Sequence, residues 1–217
     1  MAALTWDEES VRQYQTGVDH MVVYPINNGA YPMGYAWDGI TAFTESPSGA
    51  EATGVYADNI KYLNLVSDEE LGATLEALQS PEAFDACDGT AALVAGVKIG
   101  QQPRKAFGLA YRTKICDSNG AEKGYTLHLI WNCLAAPTEK SYSTVNDSPE
   151  NMTFSWSITT TKIPVTGYES TYKPISHMEI VSTEANAAKL TTLETALFGG
   201  QGTDPYLPLP AAVIGMM

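Results

Sequence analysis

The residues that could do chemistry in this chain are few and widely separated. His20, His128 and His177 form neither an HxxxH nor an HxH spacing, so a metal site would need carboxylates gathered from distant parts of the sequence. His128 lies in the strand-like stretch YTLHLIW, where a structural role is favoured over metal ligation. The sequence therefore predicts no metal site and no cofactor.

The three cysteines do not suggest a disulfide framework. Cys87, Cys116 and Cys133 are an odd number without close pairs, which also argues against a four-ligand zinc site. Cys116 or Cys133 could in principle act as a nucleophile with His128 as its base. A reactive thiolate needs a positive, partly exposed environment, however, and the strand-like context indicates burial. We predict that all three are reduced and buried.

Known catalytic motifs are missing from the sequence. It contains no GxSxG elbow, no P-loop and no GxGxxG following a strand. The neighbouring acids at 7–9 and 69–70 point to different faces and are interpreted as solvated clusters rather than as a catalytic pair. We predict no catalytic residues and a protein that is not an enzyme.

Composition and charge indicate a globular protein that does not bind nucleic acid. Of 217 residues, 44% are hydrophobic and 17% charged, and one all-β domain of this length is common. Residues 1–97 hold fifteen acidic and two basic residues, whereas residues 98–217 hold ten of each, so the whole net charge of −13 lies in the first part. Such a charge disfavours binding to phosphate backbones.

One basic stretch, at 98–114, is interleaved with Phe107 and Tyr111. It resembles a surface for single-stranded nucleic acid, but a basic strand that faces an acidic neighbouring subunit fits the same residues and is favoured. The first residues carry no basic and apolar segments of a secretory signal, and no apolar run approaches about 20 residues. We expect neither secretion nor membrane insertion.

Alternating patterns predict an antiparallel β-meander. The stretches RKAFGLAYRTKI, GYTLHLIWNCL and NMTFSWSITTT alternate and are separated by turn signals. In the third, Phe154, Trp156 and Ile158 share one face and are expected to be buried. TEANAAKLTTLETALFGG predicts one long helix with an apolar face that packs on the sheet. Residues 67–78 fit a helix and a strand equally well.

Two further segments are expected to need partners. Residues 46–59 are rich in Pro, Gly, Ala and Ser and predict a long loop. Residues 204–217 carry Pro205, Pro208 and Pro210 among apolar side chains and predict an extended arm, which either folds back or docks on another subunit. The sequence is thus divided into one β domain at 1–203 and an arm at 204–217, whose deletion should leave a folded protein that assembles poorly.

Four phrases carry a resemblance to a known family: ESPSGAEATGVYADNIKYLNL, GQQPRKAFGLAYRTKI, YTLHLIWNCLAAPTEKSYSTVNDSPENMTFSWSITTT and DPYLPLP. Over about residues 31–210 the sequence resembles the major tail proteins of long-tailed, siphovirus-type bacteriophages, the subunits of the tail tube. The resemblance implies an antiparallel β-sandwich or barrel with a flanking α-helix. It also implies stacked six-fold rings whose lumen conducts genomic DNA without binding it specifically.

The same resemblance implies the partners and the location. The partners would be further copies of the chain, the tape measure protein and the tail terminator and distal tail proteins, in a virion tail assembled in the host bacterial cytoplasm. Two alternatives stay open: a tube subunit of a phage-tail-like particle, and a β-sandwich module that binds a carbohydrate or receptor through exposed aromatic side chains. The residues expected at subunit or ring interfaces are Glu45, Ser46, Glu51, Tyr56, Asp58, Arg104, Lys105, Arg112, Tyr206, Leu207 and Leu209.

Overall fold

Antiparallel β-strands dominate the computed structural model, which describes residue 6 and residues 11–144 and 151–217. The strands are β1 Gln13–Pro25, β2 Tyr35–Ala36, β3 Ile40–Ser48, β4 Ala52–Ala57, β5 Ile60–Val66, β6 Glu70–Ala77, β7 Ala91–Val94, β8 Val97–Ile99, β9 Phe107–Asp117, β10 Glu122–Ala135, β11 Phe154–Thr160 and β12 His177–Val181. The α-helices are α1 Ala187–Phe198 and α2 Pro210–Met216.

Eight strands form one sheet, of which seven follow the order β2-β1-β9-β10-β11-β6-β3 and the eighth, β12, pairs with β10. The long strand β10 has two partners along the same edge, because β12 pairs with Thr126–Ile130 and β11 pairs with Cys133–Ala135. The sheet curls so that β3 comes against β1. The predicted meander of β9, β10 and β11 is confirmed, and so is the fold class of an antiparallel β-sandwich with a flanking helix.

The curled sheet separates two hydrophobic cores. The inner core, enclosed by the sheet, includes Met21, Val23, Trp37, Leu75, Phe84, Phe107, Leu109, Tyr111, Ile130, Trp156 and Ile158. The outer core lies on the opposite face of the same strands and includes Val22, Tyr24, Tyr31, Leu127, Leu129, Trp131, Leu190, Leu193, Leu197, Leu207 and Val213. Trp156 and Ile158 are buried and Phe154 is half-buried, as the alternation of β11 predicts.

Helix α1 covers the outer core and confirms the predicted helix. The Asn186 side chain caps its start by accepting hydrogen bonds from the backbone N–H groups of Ala188 and Lys189. Gly199, with a φ of 82°, ends it. Leu193 lies on the buried face of the helix, which packs on the sheet. Neither helix in the described residues is long and apolar enough to cross a membrane.

Residues 67–78, which fitted either a helix or a strand, contain strand β6. Its backbone pairs with β11 on one side and with β3 on the other, which leaves no hydrogen-bonding groups for a helix. After β6 the chain forms a short 3-10 turn at Glu82–Phe84. Phe84 from this turn is fully buried in the inner core against Trp37 and Trp156.

The loop predicted at 46–59 is wrong, because most of this segment is strand. Its first residues complete β3, and Ala52–Ala57 is strand β4, which pairs with β5. Asp58 and Asn59 form the two-residue connection, with φ values of 51° and 65°. Positive φ at both central positions is the type I′ hairpin turn, which matches the twist of the flanking strands. The segment is therefore one half of a β-hairpin.

The arm predicted at 204–217 takes the first of its two predicted courses and folds back, but its second half is helix α2 and not extended chain. Pro210 stands in the first turn of α2, where its missing N–H costs nothing. The backbone N–H of Leu207 donates to the carbonyl of Tyr31, and the Trp131 indole donates to the carbonyl of Pro208 at 2.9 Å. Val213 is fully buried in the outer core. The segment folds back on its own chain, so its deletion would expose the outer core rather than leave a folded protein.

The cysteines match the prediction. Cys87, Cys116 and Cys133 are free thiols and all are buried. Burial raises the pKa of Cys87 to about 12 and also raises the pKa of Cys133. A thiol held protonated in an apolar core is a poor nucleophile.

The C-terminal segment offers a matched pair of substitutions. Leu207 is 2% exposed and Leu209 is 45% exposed, although only one residue separates them. We expect Leu207→Ala to lower the free energy of unfolding by about 2–5 kcal/mol, because it leaves a cavity in the outer core. Leu209→Ala should change it by less than about 1 kcal/mol. Chemical denaturation of both variants tests this, and equal losses would contradict the folded-back segment.

Candidate assembly surface

The hairpin of β4 and β5 stands apart from the main sheet as a separate two-stranded sheet. Its register places Thr53 opposite Leu65, Val55 opposite Leu63 and Ala57 opposite Ile60. Directly opposed residues of an antiparallel pair project to the same side. These six residues therefore make one continuous apolar side of the hairpin, here called the hairpin apolar face. Tyr56, Lys61, Asn64 and Val66 lie on its other side.

The hairpin apolar face is open to solvent in the single chain. Ile60 is 62% exposed, Leu65 is 59% exposed, and every residue of β5 is exposed. An isolated two-stranded hairpin is marginally stable in water, and a continuous exposed apolar patch usually marks an interaction site. No element within the described residues covers this face.

A second hairpin repeats the pattern. Strands β7 and β8 form a separate two-stranded sheet, joined through Gly96 with a φ of 79°. Leu93, Val94 and Val97 are exposed on it. The first hairpin lies within the acidic first part of the chain, and the second ends just beyond it at Ile99.

Several predicted interface residues meet on the first hairpin or at its root. Ser46 lies on β3 just before it, and Glu51 leads into β4. Tyr56 is highly exposed, and Asp58 sits in the turn. Their role at an interface stays a prediction, but the structure places them together on one projecting element.

Glu45, by contrast, turns toward its own chain. The Tyr111 hydroxyl donates a hydrogen bond to its carboxylate, and the imidazoles of His128 and His177 lie close by. The sequence separates these residues widely, yet the structure brings Glu45, His128 and His177 within ligand distance of one another. The side chain is therefore engaged within the subunit.

The basic residues expected to face an acidic neighbour are largely paired inside the chain. Arg104 donates to the Ala135 carbonyl at 3.2 Å and to the Asp88 carboxylate at 3.3 Å. Arg112 has a side chain that is only 19% exposed and pairs with Asp19 and Glu194 of its own chain. Lys105 is exposed and stays an interface prediction.

Arg112 is the centre of a partly buried polar network on the outer side of the sheet. Its guanidinium donates to the Asp19 carboxylate at 3.2 Å, lies 3.6 Å from the Glu194 carboxylate and covers the Tyr125 ring at 4.6 Å. Burial would raise the pKa of Asp19, but hydrogen bonds from His20 and Arg112 outweigh it and lower that pKa. Arg112 therefore ties β1, β9 and α1 together.

The predicted C-terminal interface residues divide by burial. Leu207 is buried within its own chain and has no surface left for a neighbour, so its assignment to an interface is wrong. Tyr206 is half-buried and Leu209 is exposed, and for these the prediction stands untested.

The sequence reasoning missed Ile60, Leu63 and Leu65 as surface residues. IKYLNLV predicts a strand, but the partner strand is rich in Ala, Gly and Thr and shows no clear apolar alternation. The sequence feature that indicates the hairpin is the Asp58-Asn59 pair between two short extended stretches, because both residues tolerate the positive φ of a hairpin turn.

Comparisons with known proteins give a structural likeness. No protein-family model matches the sequence. None of the curated proteins matches it. Among solved structures, a chain from the six-fold symmetrised cryo-EM structure of the anti-feeding prophage (AFP) baseplate is similar, with a TM-score of 0.40 and 9% identity, over 85% of this chain and 100% of that chain.

The Arg112 network makes a pH-dependent prediction. Because Arg112 lowers the pKa of Asp19, this carboxylate stabilises the fold above its ordinary pKa, and that contribution is lost as the pH falls through the lowered pKa. We expect Arg112→Gln to raise the pKa of Asp19. Carboxyl NMR titration measures it. Lys114→Gln is the control, since Lys114 lies 3.9 Å from Asp19 and is more exposed. An unchanged pKa of Asp19 in Arg112→Gln would refute the network's role.

Proposed function

We propose that this chain is a non-catalytic structural subunit of a phage tail tube, which assembles into hexameric rings that stack around a lumen. The observation that carries the proposal is the hairpin apolar face, formed by Thr53, Val55, Ala57, Ile60, Leu63 and Leu65. A side of this kind is stable in water only when another surface covers it.

A second copy of the chain is the occupant that this geometry favours. In the proposed tube, the surface that receives the hairpin lies elsewhere on the next copy. A contact between two different surfaces of identical subunits is heterologous, and it continues into rings or open stacks instead of stopping at a dimer. A tube needs contacts of this type.

The charge of the chain supports a conduit that DNA traverses. The exposed acids of the first part include Glu51, Asp58, Glu69 and Glu70. Repeated around a ring, such charges repel the phosphate backbone, because binding to DNA depends mainly on cations that release its counterions. In the proposed tube, genomic DNA would pass without specific binding.

The resemblance of the sequence to major tail proteins of long-tailed phages supplies the remaining detail. It supports stacked hexameric rings, contacts with the tape measure, tail terminator and distal tail proteins, and assembly in the host bacterial cytoplasm into a virion tail. A phage-tail-like particle would use the same kind of subunit, and the assembly test below applies to both.

A binding module is less well supported. Trp37, Trp131 and Trp156 are buried, and Trp6 is the exposed tryptophan of the described residues. A carbohydrate platform built on tryptophan would need the buried side chains at the surface.

Two adjacent substitutions test the hairpin apolar face. Leu65 and Val66 are 59% and 62% exposed, they are neighbours on β5, and they project to opposite sides. Leu65→Glu adds one negative charge within the apolar face, whereas Val66→Glu adds the same charge on the other side. We expect the wild type and Val66→Glu to form rings or tubes as concentration rises, and Leu65→Glu to stay monomeric.

The measurement is sedimentation velocity over a concentration series, followed by negative-stain microscopy. Circular dichroism controls for folding, because both positions are exposed and neither change should unfold the chain. Assembly of Leu65→Glu at the wild-type concentration would refute the role of the hairpin. A wild type that stays monomeric at all concentrations would argue against self-assembly, and a screen of carbohydrates would then test the binding module.

A further inference from the structure

Four side chains from three strands converge at the rim of the inner core. His128 and Glu179 are directly opposed on β10 and β12, and His177 lies diagonally beside them on the same side of the sheet. Glu45 reaches the group from β3, which crosses over β9, as the packing of Phe43 on Tyr111 shows. Two imidazoles and two carboxylates thus meet at one point.

Five of the six distances between their ligand atoms are short and similar. His128 Nδ1 lies 3.4 Å from His177 Nε2, 3.7 Å from Glu179 Oε1 and 3.9 Å from Glu45 Oε1. His177 Nε2 lies 3.7 Å from Glu45 Oε1 and 3.9 Å from Glu179 Oε1. In a tetrahedral zinc site, bonds of about 2.0–2.2 Å place ligand atoms about 3.4 Å apart. Glu45, His128 and His177 lie within 4.8 Å of one another, and a contraction of a few tenths of an ångström would bring these three into that geometry. Glu179, whose side chain is 53% exposed, would complete the set by moving closer to Glu45.

Hydrogen bonds around the group orient His128 as a ligand. The Thr113 hydroxyl donates to Gln15 Oε1 at 3.2 Å, so its oxygen is free to accept from His128 Nε2–H at 3.0 Å. With the proton on Nε2, the lone pair of Nδ1 points at His177 and the two carboxylates. Metal-binding histidines usually donate their other ring N–H in this way.

Packing fixes the orientation of the rings as well. The rings of Tyr111 and His128 are stacked 4.5 Å apart with 3° between their planes, and His177 continues the stack at 5.6 Å. The Tyr111 hydroxyl, which donates to Glu45, holds that carboxylate toward the histidines. Preorganisation of this kind is typical of ligands that bind a metal.

We propose that Glu45, His128, His177 and Glu179 form a binding site for a first-row divalent metal ion of the zinc type. Two imidazoles and two carboxylates suit zinc better than magnesium or calcium, which prefer oxygen ligands alone. The ion would join β3 to β10 and β12, and β3 leads directly into the hairpin of β4 and β5. The proposal goes beyond the tail-tube function and does not rest on it.

Metal binding is measured on the untagged, unassembled chain after treatment with a chelator. Zn²⁺ affinity is obtained by competition with a chromogenic chelator, and Co²⁺ serves as a spectroscopic probe, because tetrahedral Co²⁺ has characteristic visible bands. We expect one Zn²⁺ per chain, tetrahedral Co²⁺ bands that Zn²⁺ abolishes, and a higher melting temperature with Zn²⁺ than without.

Matched variants locate the site. His177→Ala removes a ligand that is 20% exposed, and Glu179→Gln replaces an exposed carboxylate, so both should fold. We expect each to weaken Zn²⁺ binding by at least about 10-fold, a loss typical even of outer partners of metal ligands. His20→Ala is the control and should bind like the wild type. A wild type that binds no Zn²⁺ at micromolar concentrations, or equal losses in His177→Ala and His20→Ala, would overturn the proposal and leave a hydrogen-bonded histidine–carboxylate cluster.

Discussion

The requirement that the central strands be covered on both faces organises this molecule. On β10, Leu129 and Trp131 point to the outer core, whereas Ile130 points to the inner core. Strands β1 and β9 alternate in the same way. A sheet that is apolar on both faces must have a layer on each. The curled strands β6, β11 and β3 provide one layer, and helix α1 with the C-terminal segment provides the other.

The sequence predicted the elements whose side chains are buried within the chain. Alternation of apolar and polar residues predicted β9, β10 and β11, and helical spacing of apolar residues followed by two glycines predicted α1. Burial of one side of a strand or helix produces these patterns in the sequence. Residues 67–78 stayed undecided, since Leu71 and Leu75 fit both periods. The strand is formed because β6 pairs with β11 and with β3. This pairing depends on the tertiary structure and cannot be derived from the local sequence pattern. At the C-terminus, Pro210 was interpreted as a helix breaker although it begins α2.

The sequence was less informative about the candidate sites, for two physical reasons. The hairpin of β4 and β5 has no side buried within the subunit, so β4 shows little of the alternation on which strand prediction depends. The cluster of Glu45, His128 and His177 is assembled by strand register and by the curl of the sheet, and neither can be derived from spacing along the chain. Sequence motifs identify metal ligands that lie on one helix or strand, whereas Glu45, His128 and His177 lie on three different strands.

The shared wall between the two cores has a consequence for how the chain loses structure. Because each of β1, β9 and β10 contributes to both cores, neither core can open without exposing apolar surface of the other. The sandwich should therefore melt as one cooperative unit. The hairpins β4–β5 and β7–β8 contribute no buried residue to either core, so their backbone amides can exchange hydrogen through local opening at far lower free energy. The chain combines one rigid cooperative block with two independently fluctuating outgrowths.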